Sequence, residues 1–234
     1  MKSIDINKVM FLDIETATNT EELIQNSEDI VGAWMHHCRR DSKEKGENFG
    51  QRYTDEGALH PEFARIVCIC TGVVVNGVLV IKSISDPDEK VILQQFLESL
   101  EKFQNARGVV RLCAHYGIGF DFPFIIKRLL INGMEVPAKL KTFGKKPWEL
   151  DHIDTSEVWK MGGFGSASLK VIAMIFWLPS PKDDIDGSEV SAAFHAGETP
   201  RIVIYCQKDV KTLANVFQKM RTEPIFTDDM IQIK

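Results

Sequence analysis

The sequence predicts an α/β fold in which a mixed sheet of five strands is flanked by helices. Three observations lead there. Strand-like runs recur at residues 8 to 14 and in "GVVRLCAH", and two more, "RIVCICTGVVV" and "VLVIKSIS", are rich in β-branched residues. Asn76-Gly77, the strongest short-range hairpin signal, joins the second run to the third. Beyond the hairpin, helical periodicity alternates with strand-like runs, as a layered sheet-and-helix architecture requires.

Taken in order, residues 8 to 14 form a buried strand that ends in acids. Residues 17 to 64 break the pattern with the charged, aperiodic "RRDSKEKGENFGQRYTDEG" and read as an insertion or long excursion from one domain spanning residues 1 to 234. After the hairpin, "DPDEKVILQQFLESLEKF" carries apolar residues at helical spacing, with Asp86 as expected N-cap, Pro87 at the first position and Glu89 near the capping-box position. "GVVRLCAH" is the fourth strand, "DFPFIIKRLLIN" a helix after a turn, and "LDHIDT" a short fifth strand. "SASLKVIAMIFW" reads as a helix capped by Ser166 or Ser168, and "TPRIVIYCQKDVKTLANVFQKM" as the last long helix, with Thr199 as N-cap and Pro200 first.

The 234 residues, 44% hydrophobic and 26% charged, can bury a sizeable core. A net charge of −5 argues against a protein that coats nucleic acid by charge alone, without excluding a local basic path or a cation-loaded acidic site. The five cysteines lie mostly in apolar runs without a C-x-x-C pair and read as reduced core residues. The opening "MKSIDINKVMFLDIET" lacks the features of a signal peptide, and no run approaches the roughly 20 apolar residues of a membrane span, so a cytoplasmic chain with no membrane partner is expected.

Acids in apolar surroundings are the informative residues. Asp13 and Glu15 stand two apart on the first strand and point to one side. Held that close, one would take up a proton unless a positive charge sits between them. Asp121 stands between two phenylalanines at the mouth of a helix, and Asp209 lies one helical turn after Tyr205 on a face that Leu213 and Val216 continue toward the core. Singly, each has a plain explanation: a solvent-facing pair, a helix cap, a surface residue. Together they could converge at one end of the sheet, where divalent cations would make four carboxylates stable, and hard oxygen ligands favour Mg²⁺ or Mn²⁺.

Three motifs, "FLDIET", "AHYGIGFDFPF" and "YCQKD", resemble those of the DEDD 3′→5′ exonuclease superfamily, and Tyr205-x-x-x-Asp209 resembles its tyrosine branch. The histidine branch is excluded because Ile204 stands five residues before Asp209. Over about residues 8 to 220, motif order and spacing are similar to the stand-alone predicted exonucleases related to family B DNA polymerase proofreading domains; "YTDEGALHPEFARIVCIC" and "GSASLKVIAMIFWLP" also look like that group. One departure is Tyr116, where many relatives carry asparagine after the first residue of the second motif, which bears on the grip on the substrate strand more than on the metal site.

The resemblance implies a ribonuclease H-like fold and a metal-dependent nuclease releasing 5′-mononucleotides from single-stranded 3′ ends of DNA or RNA, DNA ahead of RNA. By that analogy Asp13, Glu15 and Asp209 hold one ion, Asp13 bridges to a second steadied by Asp121, and two ions roughly 3.5 to 4 Å apart serve an in-line displacement. Tyr205 would orient the attacking water, since a phenol with an ordinary pKa near 10 is a poor base. The alternative of a different class is a ribonuclease H-like module that has lost catalysis and binds nucleic acid or acts as a scaffold. Candidate nucleic-acid contacts are Thr16, His115, Phe120, Lys145 and Lys146, the two lysines in a stretch where Lys139 and Lys141 also alternate with Phe143 and Trp148. That stretch reads equally as a solvated loop. Phe120 and Phe122 suit the core better than base stacking, and His115 reads as a hydrogen-bonded strand-end residue more than a metal ligand.

Two sharper patterns fail. "KDDIDG" would place Lys182 and Ala193 where a calcium loop needs acids, and "GGFGSAS" lacks the phosphate-loop lysine.

Overall fold

The computed structural model describes residues 4–41, 48–108, 110–141, 151–178 and 184–234. Six strands form one sheet in the order β5-β4-β1-β2-β3-β6. β1 (Val9–Thr18) pairs antiparallel with β2 (Ala64–Val75) and parallel with β4 (Arg111–Ala114). β2 turns at Asn76-Gly77, both at positive φ, into β3 (Val78–Ile84). β5 (Ile153–Asp154) extends the parallel half beside β4. The sixth strand, β6 (Ile231–Ile233), was not expected: three exposed or half-buried residues carry no periodicity, and only their pairing with β3 makes them a strand.

Alternation along β1 sorts its side chains to two helical layers. Met10, Leu12 and Ile14 pack with α3 (Glu89–Arg107) and α4 (Asp121–Ile131) through Ile92, Phe96, Phe122 and Ile125. Val9, Phe11 and Ala17 pack on the other face with α7 (Val190–His195) and α8 (Thr199–Met220) through Cys206, Val210 and Phe217. Asp13 and Glu15 belong by alternation to this second face. Helix α8 lies close upon it, since a Cβ on Gly72 of β2 would stand 2.8 Å from Val210 Cγ1.

The expected excursion is itself folded. α1 (Glu28–Asp41) and α2 (Phe49–Glu56) gather Leu23, Trp34, Cys38, Tyr53 and Phe63 into a separate hydrophobic cluster, with Trp34 Nε1 donating to the Phe49 carbonyl at 2.9 Å. Two caps also differ from expectation. Asp88, not Asp86, caps α3, because Asp86 spends its carboxylate on the Asp88 N–H (2.8 Å) in the preceding turn. Glu198, not Thr199, precedes α8, where Pro200 occupies the first turn. Ser168 caps α6 (Leu169–Ile175), with α5 (Thr155–Lys160) before it. The five cysteines are buried and free, and among the described residues no helix is long and apolar enough to cross a membrane.

Candidate active site

The site begins where β1 outruns its neighbour. β4 pairs only with Val9 to Phe11, so beyond Phe11 that flank of β1 has no strand beside it among the described residues. On its other flank β1 stays paired with β2 through Thr18, with a register shift between Glu15 and Thr16. A bulge of this kind adds local twist and re-aims side chains. The open flank is taken by Asp121, the first residue of α4, whose buried carboxylate accepts the Ile14 N–H and its own backbone N–H. From the opposite layer α8 brings Tyr205, Cys206 and Asp209, and the Tyr205 hydroxyl donates to the Asp209 carboxylate.

The four acids therefore come near enough to act on one another's charge. Burial holds Asp13 well above the usual carboxylate range, and the charges of Glu15, Asp209 and Asp121 push it further up. Burial raises Glu15 likewise, with Asp209 the strongest charge acting on it. Asp121 is pushed up to about 7, first by burial and then by Asp154 and Asp209, against the two N–H groups that favour its ionised form. Burial also raises the Tyr205 phenol, helped by Asp209, Glu15 and Asp13, so it stays protonated. Oxygens of Asp13 and Glu15 lie within 4.8 Å of each other and of Cys206 Sγ. A buried group of like charges is stable when protonated or when a multivalent cation neutralises it, and an oxygen-only donor set fits a hard ion.

Asp154 is a residue that the sequence reading passed over as part of a short strand. It caps α5 through Ser156 N–H and, though buried, reaches back to accept Tyr116 N–H at 2.9 Å and Ile118 N–H at 3.0 Å. It thus sets the turn leading into Asp121. The signal in the sequence was Asp154 itself, an N-cap residue with Glu157 three positions on. Within that turn Tyr116 adopts φ 62° and is half exposed, and its ring lies over Gly119, where a Cβ would stand 2.5 Å from Cζ.

The expected nucleic-acid contacts fall in different settings. Thr16 is buried and donates its hydroxyl to the Ala58 carbonyl at 2.7 Å, tying β1 to the excursion. His115 has Thr155 Oγ1 2.9 Å from Nδ1 and the Ala167 carbonyl 2.9 Å from Nε2. Phe120 is partly buried against Phe124, their ring centroids 5.3 Å apart, and Phe122 is fully in the core. Lys145 and Lys146, with Phe143 and Trp148, lie outside the described residues; Lys141 is exposed and Lys139 pairs with Asp151 at 3.5 Å.

Residues 56–224 match the family model described as "Predicted 3'-5' exonuclease related to the exonuclease domain of PolB". The match includes Asp121, Tyr205 and Asp209 and begins after Asp13 and Glu15. Among solved structures, the family B DNA polymerase from the hyperthermophilic archaeon Pyrobaculum calidifontis superposes with a TM-score of 0.51 at 14% identity, over 88% of this chain and 24% of the polymerase. The likeness shows a shared ribonuclease H-like fold, and the chain spans about a quarter of the polymerase's length. A search of curated proteins finds no significant match.

Proposed function

Since the chain belongs to the family of predicted 3′-5′ exonucleases related to the exonuclease domain of PolB, we propose that it is a metal-dependent 3′→5′ exonuclease. Its substrates are single-stranded ends, DNA ahead of RNA, in the cytoplasm, and its products are 5′-mononucleotides. The observation that carries this reading is the mutual electrostatic contact of four carboxylates from β1, α4 and α8, three of which, Asp209, Glu15 and Asp13, also act on the Tyr205 hydroxyl. Asp13, Glu15, Asp121 and Asp209 would hold two divalent ions, magnesium or manganese. Such ions, when bound, supply an activated water and offset the charge that builds on the attacking and leaving oxygens.

The chain's own groups do the rest. Asp121, fixed by the Ile14 N–H, keeps its carboxylate from turning away with α4. Tyr205, kept protonated, orients by hydrogen bonding and does not remove a proton. Tyr205→Phe is accordingly expected to lower the single-turnover rate about 10²-fold, as loss of one positioned hydrogen-bond donor does, while leaving the manganese-induced rise in melting temperature unchanged; loss of that rise would make the hydroxyl part of the ion site.

The pH dependence follows from the raised acids. A folded-state value of about 7 for Asp121, against 3.8 ordinarily, favours the protonated group in the metal-free fold. The stability this contributes is complete below the ordinary value and is lost as pH rises through about 7. Magnesium needs the ionised groups, so the melting-temperature gain it gives is expected to be absent near pH 4 and to reach about 5–10 °C at saturation above pH 7. Thermal shift with and without EDTA across pH measures it, and a gain independent of pH would place the ion elsewhere.

The direct test is incubation with 5′-labelled single-stranded DNA and RNA in Mn²⁺, beside EDTA and Asp209→Ala controls. A stepwise ladder that both controls abolish is expected. Bound but untouched substrate would favour the non-catalytic binding module instead.

A further inference from the structure

Directly beneath the acids lies a second group of side chains of a metal-ligating type, with different chemistry. Cys68 and Cys70 alternate with Ile69 on β2 and leave the face covered by α8, and the ladder sets Cys70 opposite Asp13 and Cys68 opposite Glu15. Cys206 comes down on them from α8. All three thiols are fully buried and free. Their sulfurs lie within 4.8 Å of one another, with Cys68 Sγ 3.8 Å from Cys70 Sγ. Cys206 Sγ stands 3.4 Å from Asp13 Oδ2.

Two of these spacings, Cys68–Cys70 and Cys206–Asp13, suit one small tetrahedral ion; Asp13, opposite Cys70 on the ladder, lies beside Cys206 and completes the set by turning its side chain over the other two sulfurs. Zinc-to-thiolate bonds of about 2.3 Å at tetrahedral angles put two sulfurs about 3.8 Å apart, and a sulfur and a carboxylate oxygen about 3.5 Å apart. Thiols packed only as small apolar groups have no need of a carboxylate beside one of them. We propose that Cys68, Cys70 and Cys206, with Asp13 as fourth donor, form a site for a thiophilic divalent ion of the zinc and cadmium class. On binding, three S–H bonds give their protons to solvent as three metal–sulfur bonds form, and no electron is transferred. Asp13 is half-buried where the thiols are sealed. Because Asp13 belongs to both donor sets, the thiophilic ion draws it out of the oxygen-only site and switches the nuclease off; this regulatory consequence rests on the function proposed above.

Cadmium tests the site without reference to catalysis. The reduced, metal-free full chain is titrated with cadmium alone, following the ultraviolet sulfur-to-cadmium charge-transfer band and the protection of thiols from alkylation. A band saturating at a single equivalent, retained in Cys113→Ala and lost in Cys68→Ala/Cys70→Ala, is expected. A folded wild-type chain without the band overturns the site, as does a band that survives the double replacement. Magnesium-supported cleavage should then be lost with a single equivalent of cadmium in the wild type and resist it in the double variant. Cleavage in the wild type that ignores bound cadmium overturns the switch. Absence of any cleavage without cadmium refutes the nuclease reading and with it the switch, and the charge-transfer result still decides the thiol site. Should the double variant fail to melt cooperatively in EDTA, Cys206→Ala alone replaces it with the same expected loss of the band.

Discussion

Replacing Asp13 by alanine is expected to lower cleavage by at least about 10³-fold, some 4 kcal/mol of transition-state stabilisation, while leaving the metal-free chain as stable as before or more so. Both halves come from the same cause. Asp13 is surrounded by Glu15, Asp209 and Asp121, and burial already disfavours its charge. Removing it relieves repulsion and leaves the Cys206 thiol a second acceptor, the Asp13 backbone carbonyl at 3.5 Å. The loss is specific to ion binding: the wild type should gain melting temperature with magnesium and Asp13→Ala should not. Melting curves in EDTA and in magnesium, beside single-turnover assays, separate the two. A metal-free variant melting well below the wild type would instead make Asp13 a structural residue.

The largest stability effect is expected away from the acids, at Glu89. This first residue of α3 is buried, and both its oxygens are engaged. Oε1 accepts the Ile66 N–H at 2.7 Å and Arg128 Nε at 2.8 Å; Oε2 accepts Arg128 Nη2 at 2.6 Å and Asn132 Nδ2 at 2.8 Å. Arg128 also donates to the Pro61 carbonyl at 2.8 Å. The pair thus binds α3, β2 and the approach to β2 to α4, the helix whose first residue is Asp121. Glu89→Ala would leave a guanidinium sealed without its counter-charge and the Ile66 N–H without a partner. Breaking one side of such a pair costs about 3–5 kcal/mol, or about 10 °C in a chain of this size. Denaturant unfolding measures it. Replacing both partners by apolar residues, as in Glu89→Leu/Arg128→Met, should recover much of the loss, and a double variant as unstable as the single one would contradict this account.

What could be read in the sequence was what local chemistry decides. Asn76-Gly77 dictates its own turn because both residues tolerate positive φ, and the long helices announce themselves by apolar spacing. The acid motifs were legible as an ordered set, though nothing in the sequence says that β4 stops early and leaves Asp121 room at Ile14. Elements held by tertiary contacts were not legible. α7 is a six-residue helix, β6 is a strand by pairing alone, and α1 and α2 owe their cohesion to Trp34, Tyr53 and Phe63 meeting across a charged stretch. The helix expected to reach Trp177 stops at Ile175, and Trp177 turns to φ 55° with its side chain exposed. The capping of the 116–118 turn by Asp154 was invisible because it spans some forty residues of sequence.

The acids reach one place only because a central strand, the start of one helix and the middle of another, each about a hundred residues from the next, have all docked. Contacts of such separation complete late in folding. An ion seated among them meets a finished molecule, so it would lengthen the lifetime of the native state while leaving the speed of its formation unchanged.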